Sequence, residues 1–190
     1  TVAQDSHATE YERKQVSVVQ LISAYRQRGH QQAQLDPLAL AQRPSVPDLD
    51  LAFHELSEAD LDTIFQVGTV YFGRSEATLA SIRDDLAATY CGTVGAEFMH
   101  IVNTEERHWI MSRMEAVRSA PDFSAEHRLN ILRQLNGAEG LERSLGSKYP
   151  GTKRFGLEGG ESLIPMMAEA IQRIGGYGAK EICIGMAHRG

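Results

Sequence analysis

The stretch EICIGMAHRG, residues 181–190, decides how the chain is read. Ile182, Cys183, Ile184 and Met186 run almost unbroken after the Gly-rich GGYG at 175–178. A short apolar run with no alternation is the pattern of a strand buried on both faces of a parallel sheet. The spacing therefore predicts a strand over 181–187, central in its sheet. At its carboxyl end stand His188 and Arg189, and ligands of open α/β sheets collect just beyond the carboxyl ends of strands. Position makes this pair the candidate site. On spacing alone, a loop histidine satisfied by its surroundings is the simpler reading of His188.

Upstream of the run, Leu163, Met167, Ala170, Ile171 and Ile174 share one helical face, with Ser162 as a cap and Pro165 in the first turn, where its missing donor costs little. KRFGLEGG, residues 153–160, is expected to form a short strand opening into a Gly-rich loop. Strand, helix, strand is a βαβ unit, which implies a parallel sheet with a right-handed crossover. Only the start of that sheet lies within these residues. Ser124 can cap a further helix carrying Leu129, Leu132 and Leu135, and GLERSLGSKYPG, residues 140–151, ends another helical turn.

From Thr9 to about Ala120 the signals are helical throughout. Thr9 and Glu12 fit a capping box, and Val18, Leu21, Ile22 and Tyr25 then fall on one face until Gly29 supplies a stop. LDPLALAQRPSVPDLD, residues 35–50, carries three prolines and no period, so it is expected to be a loop. Ser57 with Asp60 forms a second capping box, flanked by Leu56 and Leu61 as a hydrophobic staple. A helix beginning at Ser75 would carry Leu79, Ile82, Leu86 and Tyr90. Another, closed by Pro121, would carry Ile110, Met114 and Val117. The first half reads as all-α.

Composition narrows the functional classes. Over 190 residues the chain is 42% hydrophobic and 23% charged, which is ordinary for a globular protein. Nineteen basic residues against 25 acidic ones give a net charge of −6, with no long run of one sign, which argues against nucleic acid as a partner and against a polybasic membrane patch. No window of 18 apolar residues exists, and the N-terminal stretch lacks the marks of a secretory signal. Cys91 and Cys183 sit in no metal or redox spacing and make no disulfide framework, which suits a reducing interior.

Three motifs carry less than they suggest. GSKYPGTK, residues 146–153, has two glycines at phosphate-loop separation, but Thr152 precedes Lys153 and no strand leads in. GLEGG at 156–160 lacks the G-x-G-x-x-G spacing of a dinucleotide loop. MHIVNTEERHWIMSR, residues 99–113, gathers His100, Glu105, Glu106, His108 and Trp109, yet the two histidines are eight residues apart and too distant along a helix to chelate one ion. These residues are expected to cap and pack a helix, with Trp109 in the core or at a domain interface, and no metal ligand is assigned.

Five blocks in order, LISAYRQRGHQQAQLDPL, YCGTVGAEFMHI, RHWIMSRME, KRFGLEGGESLIPMM and IGMAHRG, together resemble the N-terminal part of the first component of 2-oxoglutarate dehydrogenase complexes, a thiamine diphosphate-dependent family. The resemblance runs from about Tyr11 to Gly190; Ala39 departs from it, standing where the family has Gly. It implies an α/β fold overall, with a helical segment over 1–120 and the beginning of a thiamine diphosphate-binding parallel-sheet domain, truncated, over 121–190. Members are several times longer, so the chain is expected to be a fragment, without the G-D-G…N-N segment that holds Mg²⁺ and the diphosphate.

The resemblance also implies an activity: decarboxylation of 2-oxoglutarate on thiamine diphosphate, and succinyl transfer to the lipoyl domain of dihydrolipoyl succinyltransferase in the citric acid cycle. It implies a homodimer in the bacterial cytoplasm or mitochondrial matrix. In that scheme His188 is the catalytic, substrate-facing donor and Arg189 is cofactor-binding, near the diphosphate. The isolated chain would then be inactive. As cut, it could also be read as a non-catalytic helical docking and dimer-supporting module.

Overall fold

The computed structural model describes residues 2–40 and 42–185, and it divides the chain into two compact units, Thr1–Pro121 and Asp122–Gly190. The first unit is built on α1 (Val2–Arg28), α2 (Leu79–Tyr90) and α3 (Thr104–Ala116), with a hairpin of β1 (Ile64–Gln66) and β2 (Glu76–Thr78). The second holds α4 (Ala125–Lys148) and α5 (Leu163–Gly176). The described residues are mostly helical, and their only sheet is this two-stranded antiparallel one.

In the first unit the apolar stripes of α1 and α2 close on each other. Val18, Leu21, Ile22 and Tyr25 of α1 are buried, as are Leu79, Ile82, Leu86 and Tyr90 of α2. Phe65 of β1 and Met111 of α3 complete one contiguous core. At about 25 cal/mol per Å² of apolar surface withdrawn from water, a core of this kind is the dominant favourable term in folding. α1 begins before Thr9, because no Gly or Pro interrupts residues 2–28. Thr9 and Glu12 therefore lie inside the helix. Beyond Arg28 the chain tightens into a 3-10 turn, Gly29–Gln32. A Cβ on Gly29 would stand 2.5 Å from the Cβ of Tyr90, so glycine is what lets the end of α1 approach the end of α2.

The capping box at Ser57 is present, but it opens only a 3-10 turn, Glu58–Asp60. The Asp60 carboxylate accepts from the Ser57 N–H at 2.9 Å and from its hydroxyl at 3.0 Å. The helix expected from Ser75 starts later, at Leu79, where the Thr78 hydroxyl accepts from the Ser81 N–H. Residues 64–78 form the hairpin instead, so the first unit is not all-α. Ile64 pairs with Thr78, Phe65 with Ala77 and Gln66 with Glu76, too few residues to display a period. The outer edge of β1 is closed by α1: the Gln15 amide donates to Gln66 O and accepts from Gln66 N–H, both at 2.9 Å, and the Tyr11 hydroxyl donates to Ile64 O.

In α3 the buried positions are Met111 and Glu115, while Ile110 and Met114 are half-buried and Val117 is exposed. The helix ends at Ala116 and not at Pro121, through a left-handed exit at Arg118 (φ 50°) and Ser119 (φ 51°). Ala39 is also left-handed, at φ 51°. The Asp36 carboxylate, accepting from the Leu38 and Leu40 N–H groups, holds that loop in shape.

In the second unit α4 is one continuous helix through Gly137 and Gly140, with the Ser124 hydroxyl accepting from the His127 N–H at 3.1 Å. α5 packs on α4 and carries Pro165 in its first turn, where the fixed φ fits. Among the described residues of this unit, none is buried. The expected βαβ unit is not observed. Residues 153–156 are irregular and 157–160 form a turn. Residues 181–185 are irregular as well, with Ile182 45% and Ile184 62% exposed, and 186–187 lie outside the described residues. A strand needs a neighbour to satisfy its N–H and C=O groups. The described part of this unit offers no second strand, so the apolar run stays open to water.

Candidate functional site

The two residues singled out by position and resemblance, His188 and Arg189, lie outside the described residues, so the geometry bears only on what leads to them. α5 ends at Gly176, Gly178 turns the chain at φ 97°, and the exposed run 179–185 follows. Residues 181–185 are irregular, so no buried strand leads to the pair among the described residues, and its candidate roles rest on the resemblance.

The groove between α4 and α5 encloses about 420 Å³. His127 stacks on Phe123 at 4.7 Å, Arg173 donates to Glu169 at 2.5 Å, and the Gln134 amide oxygen is buried with no partner. Such a lining can donate and accept hydrogen bonds, but its charges are already paired. Among the described residues, no group of three His, Cys, Asp or Glu side chains could hold a metal ion. His100 and His108 are both exposed, and they do not converge with the glutamates between them. Trp109 is not core material: it is 60% exposed beside a shallow apolar hollow with Ile101 and Ile110, and the Arg113 guanidinium lies 5.3 Å from its ring centroid.

What the sequence did not announce is a buried ion pair in the first unit. Arg26 of α1 donates through Nε to Glu115 Oε1 at 2.8 Å and through Nη2 to Oε2 at 3.1 Å. The Tyr90 hydroxyl of α2 adds a bond to Oε1 at 2.6 Å, and the Tyr71 N–H adds one to Oε2 at 2.8 Å. Arg26 also reaches the hydroxyl and carbonyl of Thr69. Burial works against the Arg26 charge, but the hydrogen bonds and field of Glu115 outweigh it and raise its pKa. Burial, with Glu115 beside it, pushes the Tyr90 hydroxyl well above its ordinary range, and burial pushes Tyr25 up to about 12. Burial likewise raises the Cys91 thiol, which leaves it a poor nucleophile.

Each Glu115 oxygen thus receives two hydrogen bonds, and no free lone pair faces a cavity. A charge so satisfied anchors three helices and the 67–73 loop. The signal was in the sequence: Arg26 adjoins Tyr25 on the apolar stripe of α1, and Glu115 lies one turn beyond Met111. A charge at a core position calls for a buried partner.

Comparison with known proteins places the chain more sharply than its geometry does. No family model matches it. A 2-oxoglutarate dehydrogenase E1 component from Azotobacter vinelandii is 57% identical over 189 residues, covering 100% of this chain and 20% of that protein. The chain matches the N-terminal part of 2-oxoglutarate dehydrogenase E1 components. The E1 component of Cupriavidus necator is 51% identical over 178 residues, and that of Haemophilus influenzae 44% over 179. The chain spans about a fifth of the length of these E1 relatives. The first match extends over both compact units, so the E1 kinship is not confined to the well-packed half.

Proposed function

We propose that the chain serves in an enzyme that decarboxylates 2-oxoglutarate and passes the succinyl group to a lipoyl domain of a multienzyme complex, as a homodimer in the cytoplasm. The observation that carries this reading is the end-to-end match at 57% identity to an E1 component. The cofactors it entails are thiamine diphosphate and Mg²⁺. The described residues do not fit them: they contain no metal-holding group of side chains, and the charges lining the groove between α4 and α5 are paired with each other. In this reading the apolar run 181–187 becomes a paired strand of a parallel sheet within a longer polypeptide, and the exposed stripe of α5 covers that sheet. No described helix is long and apolar enough to cross a membrane.

His188 is assigned as a hydrogen-bond donor to the oxoacid, suited to the role because imidazole titrates near neutral pH. Arg189 is assigned to the diphosphate, whose oxygens match the guanidinium fork. The test is activity against thiamine diphosphate concentration for single variants of the longer polypeptide. His188→Ala is expected to lower turnover about a hundredfold or more at every cofactor concentration. Arg189→Ala is expected to weaken apparent cofactor affinity by ~1.5–3 kcal/mol, with partial rescue by excess cofactor. The reverse pattern exchanges the two roles, and full activity in both variants removes the assignment. The 190-residue chain alone is expected to give no saturable heat in calorimetry with micromolar thiamine diphosphate and Mg²⁺.

A further inference from the structure

The exit of α3 is costly at three points. Arg118 (φ 50°) and Ser119 (φ 51°) are consecutive left-handed residues that carry side chains, at a place where helices ordinarily put one glycine. The Ser119 hydroxyl is buried with no hydrogen-bond partner. The backbone is nonetheless committed to the turn: the Ser119 N–H returns to Met114 O, and the Ala120 N–H to Val117 O, both at 2.9 Å. These bonds hold the exit from within, and a side-chain contact from outside adds to them.

The holding contact is one carboxylate. Asp85 of α2 accepts from the Arg118 guanidinium, and from the other side it accepts from Arg74, which also donates to the Ser81 hydroxyl at 2.8 Å. Asp85 is 8% exposed, so its pair with Arg118 is screened less than a surface pair would be. Arg118 is nearly half exposed and would meet water if released. Asp85 would still keep Arg74. Opening thus strands neither Asp85 nor Arg118, and the backbone beyond gains by relaxing, so the pair itself is what tips the balance toward the closed exit. Pro121, the last residue of the first compact unit, lies two residues past Ser119.

We propose that residues 117–121 are a sprung joint, held closed by the Arg118–Asp85 pair, which opens when Arg118 is drawn off that carboxylate. Opening returns Arg118 and Ser119 to ordinary backbone angles and frees the Ser119 hydroxyl to water, while α1 and α2 stay packed. The segment 117–121 then has two settings, selected by one ion pair.

The test is hydrogen exchange and limited trypsin digestion of the 190-residue chain. Asp85→Asn keeps the shape of the side chain and removes its charge. It is expected to speed cleavage after Arg118 at least tenfold and to raise exchange at 117–121 comparably, with α1 and α2 as protected as in the parent. Ser119→Gly removes both the left-handed strain and the orphaned hydroxyl, and is expected to slow exchange at 117–121 severalfold. Unchanged cleavage in Asp85→Asn would overturn the proposal, and so would loosening of α1 and α2 equal to that of 117–121, because Asp85 would then support the whole core. Faster or unaltered exchange in Ser119→Gly would show that the exit stores no strain.

Discussion

α2 and α5 are both amphipathic helices with a polar residue at the N-cap, yet their fates differ. The stripe of α2, Leu79, Ile82, Leu86 and Tyr90, is buried against α1 and β1. The stripe of α5, Leu163, Met167, Ala170, Ile171 and Ile174, runs along a helix in which no described side chain is buried. The difference teaches what an apolar stripe states: that a covering surface is required, not where that surface is. α1 supplies it for α2 within these residues. For α5, α4 supplies only a groove among the described residues.

The contrast is sharpest in local opening. Hydrogen exchange of the whole chain is expected to show mid-α2 amides protected at least ~10³-fold more than mid-α5 amides, because opening α5 uncovers no buried side chains. Equal protection would break the comparison. Buried charge gives the next largest effect. Glu115→Ala strands Arg26 in the core and should cost about 3–5 kcal/mol in denaturant unfolding. Glu169→Ala, which removes an exposed i,i+4 partner of Arg173 on α5, should cost a few tenths of a kcal/mol at most. Apolar truncation should divide the same way, with Leu21→Ala losing about 2–5 kcal/mol and Ile171→Ala under about 1.

pH tests the first unit alone. Tyr25 and Tyr90 have folded pKa values raised above the ordinary tyrosine range, chiefly by burial. A raised value means that the neutral form is favoured by folding. Its contribution is complete below pH about 10 and is lost as pH climbs toward 12 and beyond. Tyrosinate absorbance should therefore show a late component that arrives together with loss of helix, and Tyr25→Phe should reduce that alkaline slope. Asp60 runs the other way, since the Lys14 ammonium at 2.6 Å holds its carboxyl below the usual range. Its contribution is present above the ordinary carboxylate pKa and fades as pH falls through the lowered one, so Asp60→Asn should flatten the acid limb. A modest gain is expected at Ala39→Gly, where relief of φ 51° should raise stability by about 0.5–1 kcal/mol, measured at the thermal midpoint.

Much of the first unit was legible in sequence, because its helical stripes are complete and their partners lie nearby. Leu21, Ile82 and Leu86 announced themselves by period, and Ser57 with Asp60 by capping chemistry. The hairpin was not legible: three-residue strands carry no period, and β1 is fixed by Gln15, more than fifty residues away along the chain. The Arg26–Glu115 pair escaped because periodicity counts apolar residues only. In the second unit the cap of α4 was right and Ser162 stands at the N-cap of α5 without a capping hydrogen bond, while the strand expected over 181–187 is absent from its described part, 181–185. Its composition describes an environment that these residues do not contain. For the candidate site, His188 and Arg189 were singled out by position and given roles by resemblance; a single helix-strand step cannot tell a ligand-facing histidine from any other.

Gln15 also says something about growth. With its side-chain amide giving to Gln66 and taking from it, one glutamine imitates the backbone of a third strand and occupies the flank where one would dock. Nothing can template onto β1 from that side without first evicting a residue that α1 holds in register. On the β1 side the sheet stops here, because the next rung of its ladder is already taken by a helix.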